Sequence, residues 1–293
     1  MARLGTVAQR AESLLGAVVV ATTPVPGGDI CTATRLRLSN GTSVLMKTRP
    51  HAPEDFFRIE AAGLRWLAAA GGVGVPEVLA AEIDCLILAW VEPFRPTPEA
   101  AERLGRELAV THLAGAPVFG SDSGTDGYVG TLRLPNRPSD SWPEFYATRR
   151  VLPYLKLAVD RGGIADSDAL AVERVVRRIG DLAGPAEPPA RLHGDLWSGN
   201  LVWGDGGRVW VVDPAAYGGH RETDLAMLGL FGCPQLERVL AAYDEAHPLA
   251  DGWQDRVPLH QLFPLLVHAS LFGWGSSGSG YGARAGAAAR SLL

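Results

Sequence analysis

Apolar positions recur at helical spacing through Leu4, Val7, Ala8, Ala11, Leu14 and Leu15, which predicts a short amphipathic helix over residues 4–16. The period then drops towards two. Residues 18–25 are rich in β-branched side chains, and residues 30–38 alternate through Thr32, Thr34, Leu36 and Leu38, so two strands flank the turn Pro26-Gly27-Gly28-Asp29. Asn40-Gly41 is the strongest short hairpin signal in the chain and turns the backbone into residues 42–47, which makes Lys47 the end of a third antiparallel strand. Helical spacing returns over residues 54–70, with Phe57, Ala61, Leu64 and Leu67 on one face and Gly71-Gly72 as the stop. Two further apolar runs, 76–83 and 86–91, complete a five-stranded sheet.

The pattern changes at a proline-rich stretch, residues 93–98, and from there onward it is mainly helical: 98–114, 142–161, 167–183, a helix starting near Thr223, and a tail from 253 to 293 interrupted by the Gly/Ser run at 273–282. Residues 119–138, rich in Gly, Asp, Ser and Pro, read as one long loop, a length that in a compact domain usually signals function or mobility. The expected fold is therefore α+β and two-lobed, with an N-terminal lobe over 1–92 (five antiparallel strands and a helix) and a mostly helical C-terminal lobe over 93–293.

Composition narrows the function classes. A net charge of −5 over 293 residues, with no basic run, argues against a nucleic-acid partner. No stretch reaches the roughly 18 consecutive apolar residues of a membrane span, and the N-terminus lacks an unbroken apolar segment, so a cytoplasmic monomer is expected. The cysteines, Cys31, Cys85 and Cys233, lack C-x-x-C spacing and suggest neither a disulfide framework nor a zinc site. Lysine occurs only at Lys47 and Lys156, every other basic position being arginine, so a lysine kept at a strand end suggests a site that wants a compact ammonium.

Residues 191–213, RLHGDLWSGNLVWGDGGRVWVVD, carry the densest chemistry. Asp195 and Asn200 stand in D-x-x-x-x-N spacing after His193, and an apolar strand then delivers Asp213. Turn residues alone could produce such a run, but upstream features match the same chemistry. The Gly27-Gly28 turn could cover phosphates with backbone N–H groups. Glu60, on the helix after the third strand and flanked by Ile59, Ala61 and Ala62, can pair with Lys47. Free backbone groups at Ala89, Trp90 and Val91 could meet an adenine where the lobes join. Together these are the parts of a phosphoryl-transfer site using ATP and Mg²⁺: a base (Asp195), two metal ligands (Asn200, Asp213), and a phosphate-binding lysine with its partner. Asp224 is placed either to cap its helix or to bond the catalytic loop, and His112 reads as a core residue.

The segments LHGDLWSGN (192–200), DPAAYGGHRETDLAM (213–227), DGYVGTLRLPN (126–136), SWPEFYATRRVLPYL (141–155) and PLLVHASLFG (264–273) resemble the fructosamine kinase family, within the aminoglycoside phosphotransferase-like kinases. The resemblance implies a protein-kinase-like fold and transfer of phosphate from ATP to the O3 hydroxyl of a ketosamine: a fructosamine, a ribulosamine or a glycated lysine, free or on a protein. It gives Asp195 the role of base, Asn200 and Asp213 those of Mg²⁺ ligands, and Lys47 that of holding the α- and β-phosphates, with Glu60 as its partner. The labile ester that results implies a role in deglycation. Asp213-Pro214-Ala215 stands where protein kinases have D-F-G, and no A-P-E follows, so regulation of the protein-kinase type is not expected. An aminoglycoside or choline-type phosphotransferase is the alternative, against which residues 244–255 offer only a modest acidic cluster. Cys31, beside the phosphate turn, is expected to have a favoured thiolate and hence to allow a redox-dependent dimer.

Overall fold

The computed structural model describes residues 2–27, 30–273 and 280–293. Helix α1 (Ala2–Leu15) is followed by strands β1 (Val19–Val25), β2 (Thr32–Leu38) and β3 (Ser43–Thr48), helix α2 (Phe56–Ala68), and strands β4 (Val78–Ala81) and β5 (Cys85–Ala89). The five strands form one antiparallel sheet in the order β1-β2-β3-β5-β4. Asn40 makes the β2–β3 turn as its sequence demands: Gly41 takes φ 88° and the Asn40 carboxamide accepts the Thr42 N–H at 3.0 Å. Alternation along β3 sorts the two faces of the sheet. Val44 and Met46 pack with Leu36, Leu38 and Ala11 of α1, while Leu45 packs on the other face with Phe57 and Leu64 of α2. Lys47 shares the parity of Leu45 and so points to the α2 side.

Beyond the sheet come α3 (Pro98–Leu113), the hairpin β6 (Gly127–Val129) and β7 (Leu132–Leu134), then α4 (Trp142–Phe145), α5 (Leu152–Asp160), α6 (Asp166–Arg177) and α7 (Ile179–Leu182). Strands β8 (Ala190–Leu192), β9 (Leu201–Trp203), β10 (Val209–Val211) and β11 (Tyr217–Gly219) frame residues 190–219; α8 (Glu222–Leu230), α9 (Leu236–Ala246), α10 (Trp253–Phe272) and α11 (Tyr281–Ser291) complete the chain. Thr97 caps α3 by accepting the Ala100 N–H at 3.2 Å, and Pro98 fills its first turn. One core gathers around α5, α6, α10 and α11, and a second joins α3 and α9 to the β9–β10 hairpin.

Five expectations change. The single helix expected at 167–183 breaks at Arg178, whose φ of −110° and ψ of 11° leave the helical region, into α6 and α7. The long loop expected at 119–138 contains the β6–β7 hairpin, whose short strands were hidden among Gly and Pro. The single helix expected at 142–161 is split by a π turn at Tyr146–Val151. Pro153 has no N–H to offer the Arg149 carbonyl, which instead accepts from the Arg150 guanidinium at 3.2 Å. Helix α9 was not anticipated. The fifth strand stops at Ala89, two residues short of the expected 91, and the N–H groups of Ala89 and Trp90 are already taken, donating to the Glu77 carbonyl at 2.9 Å and the Ser43 carbonyl at 3.2 Å. Most of the Gly/Ser run lies outside the described residues.

No helix among the described residues is long and apolar enough to cross a membrane.

Candidate active site

Lys47 is buried where β3 meets α2, and its Nζ stands 2.6 Å from Glu60 Oε1 and 2.6 Å from Asp213 Oδ1. Burial works against the ammonium's charge, but the two carboxylates more than offset it, and the pKa of Lys47 is raised. The lysine is thus held charged, aligned by one carboxylate from each side of a cleft.

The opposite wall is built from the backbone outward. Asp224 on α8 accepts the His193 N–H at 2.7 Å and the Gly194 N–H at 2.9 Å, which fixes the loop after β8. Asp224 is in turn 3.3 Å from His112 Nε2, whose Nδ1 lies 2.8 Å from the Tyr243 hydroxyl. Asp224 therefore bonds the loop after β8 rather than capping its own helix, and His112 is a satisfied core residue. Gly194 adopts φ 81° with its Cα pressed towards Ala215; a Cβ there would stand 2.2 Å from the Ala215 carbonyl oxygen. His193 accepts the Asp195 N–H on Nδ1 at 3.3 Å and donates from Nε2 to the Val212 carbonyl at 2.9 Å. Burial lowers its pKa, so it is a neutral brace between the loop and the strand that delivers Asp213.

Asn200 donates from Nδ2 to the Asp195 carbonyl at 2.8 Å and to Asp195 Oδ2 at 2.9 Å, leaving its amide oxygen as an acceptor. Asp213 takes φ 56°, an orientation that turns its carboxylate off the strand line, and its side chain is 46% exposed. Burial raises the Asp195 carboxyl to about 7; the Asn200 hydrogen bond opposes this, and the charges of Asp213 and Asp224 add to it. A carboxyl poised there can take a proton near neutral pH.

Asp195, Asn200 and Asp213 face a cavity of about 1260 Å³ together with Gly27, Lys47, Glu60, Ala89, Trp90 and Val91. Gly28 lies outside the described residues. An amide oxygen and a carboxylate are the hard oxygen donors that Mg²⁺ takes, so Asn200 and Asp213 fit that ion. Composition and spacing missed the far side of the cavity, where Trp197, Phe231, His268, Phe272 and Tyr281 form an aromatic wall drawn from the loop after β8, the end of α8, α10 and the start of α11. Trp197, His268 and Phe272 lie in segments that carried the family resemblance but had no role of their own, Phe231 read as a helix position and Tyr281 as part of the Gly/Ser run. His268 donates from Nδ1 to the Pro264 carbonyl at 2.7 Å, which leaves Nε2 as an acceptor.

The expectation for Cys31 is corrected. Burial pushes its thiol up to about 11 despite the opposing pull of Lys47, so the thiolate is disfavoured.

Residues 5–285 match the family model for fructosamine kinase. The chain belongs to the fructosamine kinase family. A probable ketoamine kinase of Thermus thermophilus is 36% identical over 258 residues, covering 87% of this chain and 90% of that protein. The crystal structure of a candidate fructosamine-3-kinase from Thermobifida fusca superposes with a TM-score of 0.91 at 48% identity, covering 98% of both chains. A choline kinase from Streptococcus pneumoniae, 17% identical with a TM-score of 0.67 over 100% of this chain and 99% of that one, shares the fold alone. As a fructosamine kinase family member the chain is a phosphotransferase acting on a sugar-amine hydroxyl, with the kinase-like α+β fold that its five-stranded sheet and helices display.

Proposed function

We propose that this fructosamine kinase family member transfers the γ-phosphoryl group of ATP to the O3 hydroxyl of a ketosamine, with Asp195 as the base and Lys47 on the α- and β-phosphates. The observation that carries the reading is the convergence of Lys47, Glu60, Asp195, Asn200 and Asp213 on one cavity, each held by bonds that leave its functional atom free or exchangeable. Mg²⁺ held by Asn200 and Asp213 would supply the neutralising charge for the phosphates. Ala89, Trp90 and Val91 would meet the adenine, and Gly27 with Gly28 would cover the phosphates. When nucleotide enters, the Lys47 ammonium exchanges Asp213 for phosphate oxygens while Glu60 keeps it in line. Asp195 accepts the proton of the attacking hydroxyl, and the rest of the work is positioning.

The aromatic wall beside Asp195 suits an acceptor that carries an amine on a sugar, since ring faces attract a cationic amine and cover apolar stems. In a 3-phosphorylated ketosamine the ester stands next to the ketone carbon. Enolisation towards the amine-bearing carbon then expels phosphate and leaves an imine that hydrolyses to free amine, the chemistry of deglycation. We assign the reaction to the cytoplasm, the compartment where ATP and free thiols coexist. A panel measuring ADP release with fructosyl-lysine, ribulosyl-lysine, an aminoglycoside and choline tests the proposal. Turnover is expected with the two ketosamines; preference for the aminoglycoside or choline would overturn the assignment.

A further inference from the structure

The hairpin β6–β7 has no part in the chemistry so far, yet it lines the cavity and contacts α2, Ile30 beside the glycine turn and Leu271 of α10. Its base is rigid. Tyr154 donates to the Arg133 carbonyl at 2.7 Å, Asp126 accepts the Asn136 N–H at 3.0 Å, and the fully buried Arg150 reaches the Asn136 amide oxygen at 2.6 Å. Its turn is pressed into the N-terminal lobe: a Cβ on Gly130, which has φ 60°, would stand 3.0 Å from Ile30 beside the glycine turn and 3.1 Å from Leu271 of α10.

Its outer face grips α2. Tyr128 donates its hydroxyl to Asp55 Oδ1 at 2.5 Å, and Arg133, opposite Tyr128 in the hairpin register, reaches Asp55 Oδ2 at 3.2 Å. The Tyr128 ring also packs edge-on to Phe56 with centroids 5.0 Å apart. Asp55 is the N-cap residue of α2, where a carboxylate ordinarily accepts an N–H of its own helix, but here it makes no side-chain capping bond. The carboxylate is committed to the hairpin instead. Further along the same helix, a Cβ on Gly63 would lie 3.2 Å from Ala216, and the Trp66 carbonyl accepts from Arg191 at 2.7 Å. Helix α2 is therefore fastened from the C-terminal lobe at its start, its middle and its end, with Glu60 between the first two fastenings.

We infer that Asp55 and Tyr128 are positioning residues, through which the β6–β7 hairpin holds α2 so that Glu60 stays on Lys47. The same loop lines the cavity with Asp122, Ser123 and Thr125, so the lysine that receives the nucleotide is aligned from the acceptor side of the cleft. The inference rests on the kinase reading of Lys47 and Glu60. The two bonds on Asp55 differ in weight. The Arg133–Asp55 pair is open to water, with side chains 56% and 46% exposed, and such pairs contribute little. Tyr128 is 9% exposed, and its hydroxyl makes a short bond to a charged acceptor, the stronger class.

Calorimetric titration with Mg²⁺ and a non-hydrolysable ATP analogue tests this, with a urea midpoint recorded for each variant. Tyr128→Phe and Asp55→Asn are each expected to weaken analogue binding about tenfold, the range of a charged hydrogen bond, while Arg133→Ala changes it less than about twofold. In a Glu60→Gln background, Asp55→Asn should cause no further loss, because its effect runs through Glu60. Unchanged binding in both Tyr128→Phe and Asp55→Asn, or a full tenfold loss on top of Glu60→Gln, would overturn the inference. Because the readout is nucleotide binding, a wild-type chain that binds the analogue but phosphorylates no ketosamine refutes the substrate reading and leaves this test standing.

Discussion

Replacing Lys47 by Met keeps the apolar stem in place and removes only the ammonium, so it isolates the electrostatics of the site. Glu60 would then be a buried carboxylate, its side chain 10% exposed, without its cation. Burial already raises the Glu60 pKa against the pull of Lys47, and removing that pull raises it further. Breaking one side of a buried pair costs about 3–5 kcal/mol, and protonation of Glu60 limits the loss, so we take about 3 kcal/mol at pH 8. With a urea slope of about 2–3 kcal/mol/M for a chain of this size, the midpoint should fall by about 1 M. The sign with pH follows from the raised pKa. A carboxyl that binds its proton more tightly when folded contributes stability that is present below its unfolded pKa and is lost as pH rises through the folded value. Because the wild-type Glu60 pKa is itself raised, the variant should lose stability relative to wild type, by up to about 1.4 kcal/mol per pH unit, only between the folded pKa of Glu60 in wild type and its higher value in the variant, so its deficit at pH 5.5 should be smaller than at pH 8. Adding Glu60→Gln should restore part of the midpoint, giving a coupling of about 1.5 kcal/mol or more. Tryptophan fluorescence in urea at the two pH values measures all of this. A midpoint within about 0.2 M of wild type, against the slope used above, or a double variant with strictly additive loss, would refute the reasoning.

Asp195→Asn should lower kcat by about 10²–10⁴-fold while the affinity for ATP stays near wild type, because the base does not hold the nucleotide; single-turnover kinetics with separate nucleotide titration will show it. With Asp195 poised at about 7, acceptor kcat/KM should climb with pH and level off above neutrality, and a profile flat from pH 5.5 to 8 would remove the base from Asp195. Asp213→Asn should weaken Mg²⁺-dependent nucleotide binding, since a neutral amide is a poorer ligand for a hard cation, and titration of Mg²⁺ at fixed ATP measures the shift.

The parts of the site that lie on regular elements were legible in the sequence. The Asn40-Gly41 turn made Lys47 the end of a strand, the helix that follows carried Glu60 within reach of it, and the apolar flank of Glu60 foretold its burial. Asp224 was legible only as a choice between two roles, and its carboxylate proved to hold the loop after β8. What could not be read depends on contacts between distant segments. The β6–β7 strands have three residues each, too short for a period to show, and their stability comes from Asp55, Tyr154 and Arg150. The aromatic wall gathers Trp197, Phe231, His268 and Tyr281, which no local spacing connects. Cys31 misled for the same reason: proximity to Lys47 is visible along the strands, but the burial that outweighs it comes from packing.

The most direct test of the central claim is the structure of the product formed from fructosyl-lysine, ATP and Mg²⁺, followed by phosphorus-detected NMR. One ester per ADP is expected, coupled to the proton on C3 and decaying to inorganic phosphate and free lysine. An ester on another hydroxyl, or ADP released without any sugar phosphate, would contradict the claim.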